Sequence, residues 1–146
     1  EGLYYSTPER IQAVWPSRFA TVEDAKPYAK NPEKLADKVY GGRMGNSGQG
    51  YLWRGRGFLQ CTGKNTYSQF AADMNLPEVL ENPDLVANDY AMETALWFFK
   101  ANKLFEISDG GVTYEIIKKI TRRVNGGAHG LKDRVKQTTA IFEYLS

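Results

Sequence analysis

The sequence predicts a mainly α domain with a small β-hairpin insertion, and three observations carry that prediction. Helix starts are legible at Thr7-Pro8-Glu9 and Asn31-Pro32-Glu33, where a side-chain cap precedes a proline and an acid in the first turn. Apolar residues recur at helical spacing in Ile116, Ile117, Ile120 and Val124. Between Gly41 and Gly63, by contrast, eight glycines are spread among β-forming residues, which suits a loop with a short hairpin and defeats a helix.

Taken in chain order, the helix opened by Thr7 is expected to stop at Trp15-Pro16. The one opened by Asn31 runs through Leu35, Ala36 and Val39 to Gly41-Gly42. In the hairpin segment Trp53–Tyr67, strand alternation puts Phe58, Gln60 and Thr62 on one face and Leu59 and Cys61 on the other. Asn65 is expected to cap a helix through Phe70 and Met74, and Asn82-Pro83-Asp84 to open a short one. The segment from Tyr90 to Lys103 is apolar on more than one stripe, which predicts a central buried helix. Thr113 caps the next, Gly126-Gly127 ends it, and Leu131, Val135 and Phe142 mark a last helix. Neither an internal repeat nor a linker is visible, so residues 1–146 read as a single domain.

At 146 residues the chain is long enough to bury about two thirds of its unfolded surface. A net charge of +2 is too slight for the electrostatic footprint of a nucleic-acid binder, and the basic run Lys118, Lys119, Arg122, Arg123 reads as a solvated helix face. The single cysteine, Cys61, excludes an intramolecular disulfide. No apolar run approaches the ~18 residues of a membrane span, and the N-terminus lacks the order of a signal peptide. A monomer without membrane insertion is expected.

Gln60 and Thr62 offer an amide and a hydroxyl, each able to donate and accept, which is the pairing a neutral sugar requires. Tyr51, Trp53 and Tyr67 would add flat apolar surfaces for pyranose rings. The same residues equally fit a plain hairpin in which Gly55 and Gly57 serve a bend and the polar groups are solvated. Gly57–Lys64 is a poor phosphate-binding loop, since five residues separate its glycines and Asn65 replaces the magnesium-reaching hydroxyl. One His and one Cys make no recognisable metal set, so no metal is expected. Cys61 with His129 would make a thiol nucleophile and base, or simply a strand cysteine and a loop histidine. Asn125-Gly126-Gly127, ahead of Asp133-Arg134, fits a chain reversal held by an ion pair as well as a site.

In order along the chain, YYS near the start, WPSRF at Trp15–Phe19, AKNPEKLADKVYGGRMGN at Ala29–Asn46, WRGRGFLQCTGKNTY at Trp53–Tyr67 and VNGGAHGLKDR at Val124–Arg134 resemble glycoside hydrolase family 19. The likeness is to its phage and bacterial endolysin branch more than to plant chitinases, and it spans nearly the whole chain. Five blocks in one order are specific where RGRG or NGG alone is not. The resemblance implies a lysozyme-like fold and hydrolysis, with inversion and without a cofactor, of β-1,4 bonds between N-acetylated amino sugars. Peptidoglycan or chitin would be the partner polysaccharide. A phage enzyme of this kind would act from the host cytoplasm on the periplasmic wall, or on the virion tail.

Inversion needs one protonated carboxyl for the leaving oxygen and one carboxylate to activate water on the opposite face. The resemblance puts the base at Glu1 and gives Thr62 the task of holding the attacking water. Gln60, Tyr67 and Asn125 become substrate contacts, and Arg134 orients a carboxylate. The family's other carboxyl sits in a His-Glu helix, and Glu9, Glu23 and Glu33 do not stand in its place. The chain is therefore expected to lack that N-terminal helix, with the acid encoded upstream. An Asn usual before the tyrosine is Thr66 here, which cannot serve an acetamido group and a hydroxyl at once.

Overall fold

The computed structural model describes residues 2–146, and they are mainly helical, in agreement with the lysozyme-like helical class. Glu1, the expected base, lies outside the described residues. Two compact units divide the chain, Glu1–Ala95 and Leu96–Ser146.

In the first unit, α1 (Pro8–Val14) and α3 (Pro32–Tyr40) start where the sequence places them. The Thr7 side chain accepts from Arg10 N–H and the Asn31 side chain from Lys34 N–H. Between them lie α2 (Val22–Ala25), opened by a capping box of Thr21 and Asp24, and a single 3-10 turn at Lys26–Tyr28. Ile11, Phe19, Ala25, Leu35 and Val39 form a closed apolar cluster, flanked by half-buried Tyr5, Trp15 and Tyr28. Tyr5 meets Trp15 edge-on, as Phe19 meets Tyr28, both at 5.1 Å between ring centroids, the arrangement aromatic quadrupoles favour. The unit continues through α4 (Lys64–Met74), α5 (Glu78–Glu81) and α6 (Leu85–Asn88).

Three expectations need correction. First, the hairpin strand does not form, because Gln60 adopts a left-handed backbone at φ 54°, which breaks strand alternation. What remains is one bridged pair, Arg56 and Cys61, exchanging backbone hydrogen bonds at 3.1 and 2.7 Å around the turn Gly57–Gln60. Second, α4 is not capped by Asn65. It starts two residues earlier than that cap would set it, after Gly63 at φ 88°, and its first N–H groups go to Asn46 Oδ1 (2.7 Å) and Met44 O (3.0 Å). Third, α7 (Ala91–Ala101) buries only Thr94 and Trp97, while Met92 and Leu96 are more than half exposed. Apolarity around a helix does not supply surfaces to cover it.

The second unit holds α8 (Leu104–Ser108), α9 (Tyr114–Asn125) and α10 (Leu131–Leu145), with α9 packed against both others. Thr113 caps α9 by accepting from Ile116 N–H, and Gly126 ends it at φ 68°, both as expected. Helices α2, α5 and α8 escape a periodicity reading because four or five residues complete little more than one turn.

Candidate active site

The segment from Met44 to Tyr67 has almost no regular structure, yet it is buried at several points. Its backbone must therefore find partners outside any helix or sheet. Arg56 supplies two of them and draws further side chains into the same network. Its side chain is 4% exposed, and Nη1 donates to Leu52 O at 2.8 Å, Arg54 O at 3.3 Å and Tyr67 Oη at 3.0 Å. Its Nε donates to Asp84 Oδ1 at 2.7 Å, an oxygen that also receives Arg54 Nη2 at 3.2 Å. The Arg56 hydrogen bond, reinforced by both arginine charges, holds the Asp84 carboxyl below its ordinary 3.8. Arg54 in turn lies flat over the Tyr51 ring, 4.2 Å from its centroid.

Tyr67 is fully buried, with its hydroxyl donating to Arg54 O at 2.9 Å while accepting from Arg56. Burial pushes that phenol up to about 12. Its ring meets Trp53 edge-on at 5.4 Å, and Trp53 is itself 3% exposed, with an indole N–H that has no acceptor among the described residues. In this conformation Trp53 and Tyr67 present no stacking surface to a sugar, and of the aromatic trio only Tyr51 is partly exposed.

Gln60 and Thr62 sit together at the end of the turn. Gln60 Nε2 donates to Gly57 O at 3.1 Å, which leaves its carbonyl oxygen and a second N–H toward solvent. Thr62 Oγ1 donates to Gln60 O at 2.7 Å, so its single proton is committed and its lone pairs are left to accept. A left-handed non-glycine residue at this point stores backbone strain of the kind found at binding sites. Phe58, 68% exposed, stands at the tip of the same turn. The thiol of Cys61 is pushed up to about 12 by burial, so it is protonated at neutral pH and unsuited to nucleophilic attack.

In the second unit, Asn125 and Arg134 meet on a single acceptor. Asn125 Nδ2 and Arg134 Nη1 donate to His129 O at 3.1 and 3.0 Å, and Arg134 also reaches Thr121 Oγ1 at 3.4 Å. They fix the turn Gly126–Gly130 between α9 and α10, and Arg134 contacts no carboxylate among the described residues. Metal-ligating clusters are absent among the described residues.

A curated protein of Haemophilus influenzae, described as a glycosyl hydrolase family 19 domain-containing protein, is 36% identical over 123 residues. The match is a likeness to that family 19 relative. It covers 81% of this chain but 57% of the relative, so the chain spans little more than half of that protein's length. No family model matches. The residues that motif reading missed are Asn46, Arg54, Arg56 and Asp84, which build the loop carrying Gln60 and Thr62. The signal available was RGRG itself, two arginines set among glycines beside aromatic residues, where a buried donor network has room to form.

Proposed function

We propose that this chain is a family 19 glycosidase domain that hydrolyses β-1,4 bonds between N-acetylated amino sugars of bacterial peptidoglycan, with inversion, in wall degradation of the endolysin type. The observation that carries the reading is the 36% identity to a family 19 relative, and the turn bearing Gln60 and Thr62 supports it chemically. In the proposed reaction Glu1, as carboxylate, takes one proton of a water molecule. Thr62 Oγ1 accepts the other proton in a hydrogen bond. Held by both hydrogens, the water turns a lone pair to the anomeric carbon, and attack there inverts the centre as the leaving oxygen takes its proton from a second carboxyl. Gln60 and Asn125 contact acetamido and hydroxyl groups, Tyr67 shapes the loop wall, and Arg134 orients a carboxylate.

The test is reducing-end release from purified murein by the full-length gene product, with mass spectrometry of the muropeptides. Glu1→Gln is expected to cut kcat about a hundredfold or more, with KM little changed. Thr62→Val is expected to lower kcat by a smaller factor. Full activity in Glu1→Gln removes the base assignment, and release from chitin oligomers but not from murein transfers the reading to a chitinase. A second reading is a wall-binding module without turnover. It predicts co-sedimentation with walls and no new reducing ends.

A further inference from the structure

A groove of ≈ 460 Å³ lies between α8 and α9, wholly within the second unit and apart from every residue given a role above. Half-buried Ile107 and Ile116 line it, with Lys103, Glu106, Glu115 and Lys119 at its edges. The space is specific to its sequence. A Cβ at Gly110 would come within 2.8 Å of Ile116 Cδ1, so glycine there lets the α8–α9 turn close on Ile116 without moving its side chain. Lys103 holds a left-handed backbone at φ 54°, a strained conformation for a long side chain and one that sets it at the start of α8.

The charges are arranged for an external partner. Glu115 stands four residues before Lys119, the spacing that favours a helical ion pair, yet its carboxylate goes instead to Lys118 at 3.3 Å. Lys119 has no ion-pair partner among the described residues. Lys103 and Glu106 likewise have no ion-pair partner among the described residues. Two free ammonium groups and one free carboxylate thus surround an apolar patch. The complementary ligand carries at least two carboxylates and one ammonium on a short chain with small apolar groups, which is a short acidic peptide rather than a neutral glycan.

We propose that this groove binds the stem peptide of peptidoglycan, with Lys103 and Lys119 receiving its carboxylates, Glu106 its free amine, and Ile107 and Ile116 its alanine methyls. The identity of the peptide rests on the wall substrate proposed above; the chemistry of the groove does not.

The experiment is amide chemical-shift titration of the isotopically labelled chain with the tetrapeptide L-Ala-γ-D-Glu-meso-diaminopimelyl-D-Ala. The same peptide with its carboxylates amidated is the control. Saturable shifts are expected at residues 103–107 and 115–119, with at least about fivefold weaker binding after amidation and in a Lys103→Ala/Lys119→Ala variant. Absence of shifts there, or equal binding of the amidated peptide, overturns the proposal. Reducing-end release from murein, run in parallel, reports on the glycosidase reading alone: loss of that activity with the peptide shifts intact condemns the hydrolase and keeps the groove, and the reverse pattern does the opposite.

Discussion

The loop from Asn46 to Tyr67 and the helix α10 are opposites. The loop has one bridged pair and no helix until Lys64, yet Asn46, Trp53, Arg56 and Tyr67 in it are at most 4% exposed. Helix α10 is fifteen residues of unbroken regular structure and buries none of them. A helix satisfies its own backbone along most of its length, so its side chains are free to remain in water. An irregular buried loop has no such ladder and must hand its carbonyls and N–H groups to particular side chains. Regularity and dependence on single residues therefore run in opposite directions here, and substitutions should fall hardest where secondary structure is weakest.

The largest effect is expected at Arg56. Replacing it by Met keeps an apolar stem of similar length but strips donors from Leu52 O, Arg54 O and the Tyr67 hydroxyl at once. An unfolding cost of about 3–5 kcal/mol is expected for breaking a buried charged network. Urea denaturation followed by far-ultraviolet circular dichroism measures it. A cost near zero would mean that the loop is held by backbone hydrogen bonds alone.

Asn46 comes next, because its 1% exposed side chain joins two points of the chain. Oδ1 accepts the first N–H of α4 while Nδ2 donates to Tyr40 O at the end of α3, at 3.1 Å. Asn46→Ala removes the acceptor of the Lys64 N–H and one donor to Tyr40 O, which keeps the Arg43 N–H at 2.9 Å, and about 1 kcal/mol of lost stability is expected. Hydrogen exchange sharpens the comparison, since the Lys64 amide should lose protection in this variant while the amides of α10 keep theirs.

These two residues show how far the sequence was legible. Thr7, Asn31 and Thr113 cap helices by accepting an N–H three residues ahead, so each signal and its effect share one short window, and all three were readable. Asn46 caps α4 from eighteen residues away and Arg56 pairs with Asp84 across twenty-eight, distances at which spacing carries no information. The hydrogen-bonding chemistry of Gln60 and Thr62 is legible in their residue types, but the strand expected to present them is a turn, because nothing in the residue type announces a left-handed glutamine. For Tyr67 the residue type predicts a flat surface for a sugar ring, and it does not announce that the hydroxyl bonds inside the loop.

Acid provides a gentler way to loosen the same loop. The Asp84 carboxyl is held below its ordinary 3.8 in the folded chain, chiefly by the Arg56 hydrogen bond. Its contribution to stability is therefore complete above that ordinary value and is lost as pH falls through the lower folded-state value. Because the Asp84 side chain is 55% exposed, solvent screens much of the effect. The expected result is a shallow acid limb in a plot of urea midpoint against pH, confined to pH below about 4 and reduced in Asp84→Asn. An acid limb unchanged by that substitution would assign the titration to other carboxylates.

The smallest effect is expected at the end of α10, where Tyr144 is 89% exposed and Leu145 76% exposed. Two large apolar side chains in water contribute nothing to burial, so Tyr144→Ser and Leu145→Ser should each change stability by no more than about 0.5 kcal/mol. Amides of the last turn should exchange fast, since a fraying terminus opens at almost no cost. A loss above about 1 kcal/mol would show that these side chains are covered in solution. Repeating the measurement at a tenfold lower protein concentration then separates self-association, whose effect fades on dilution, from packing within the chain, whose effect does not.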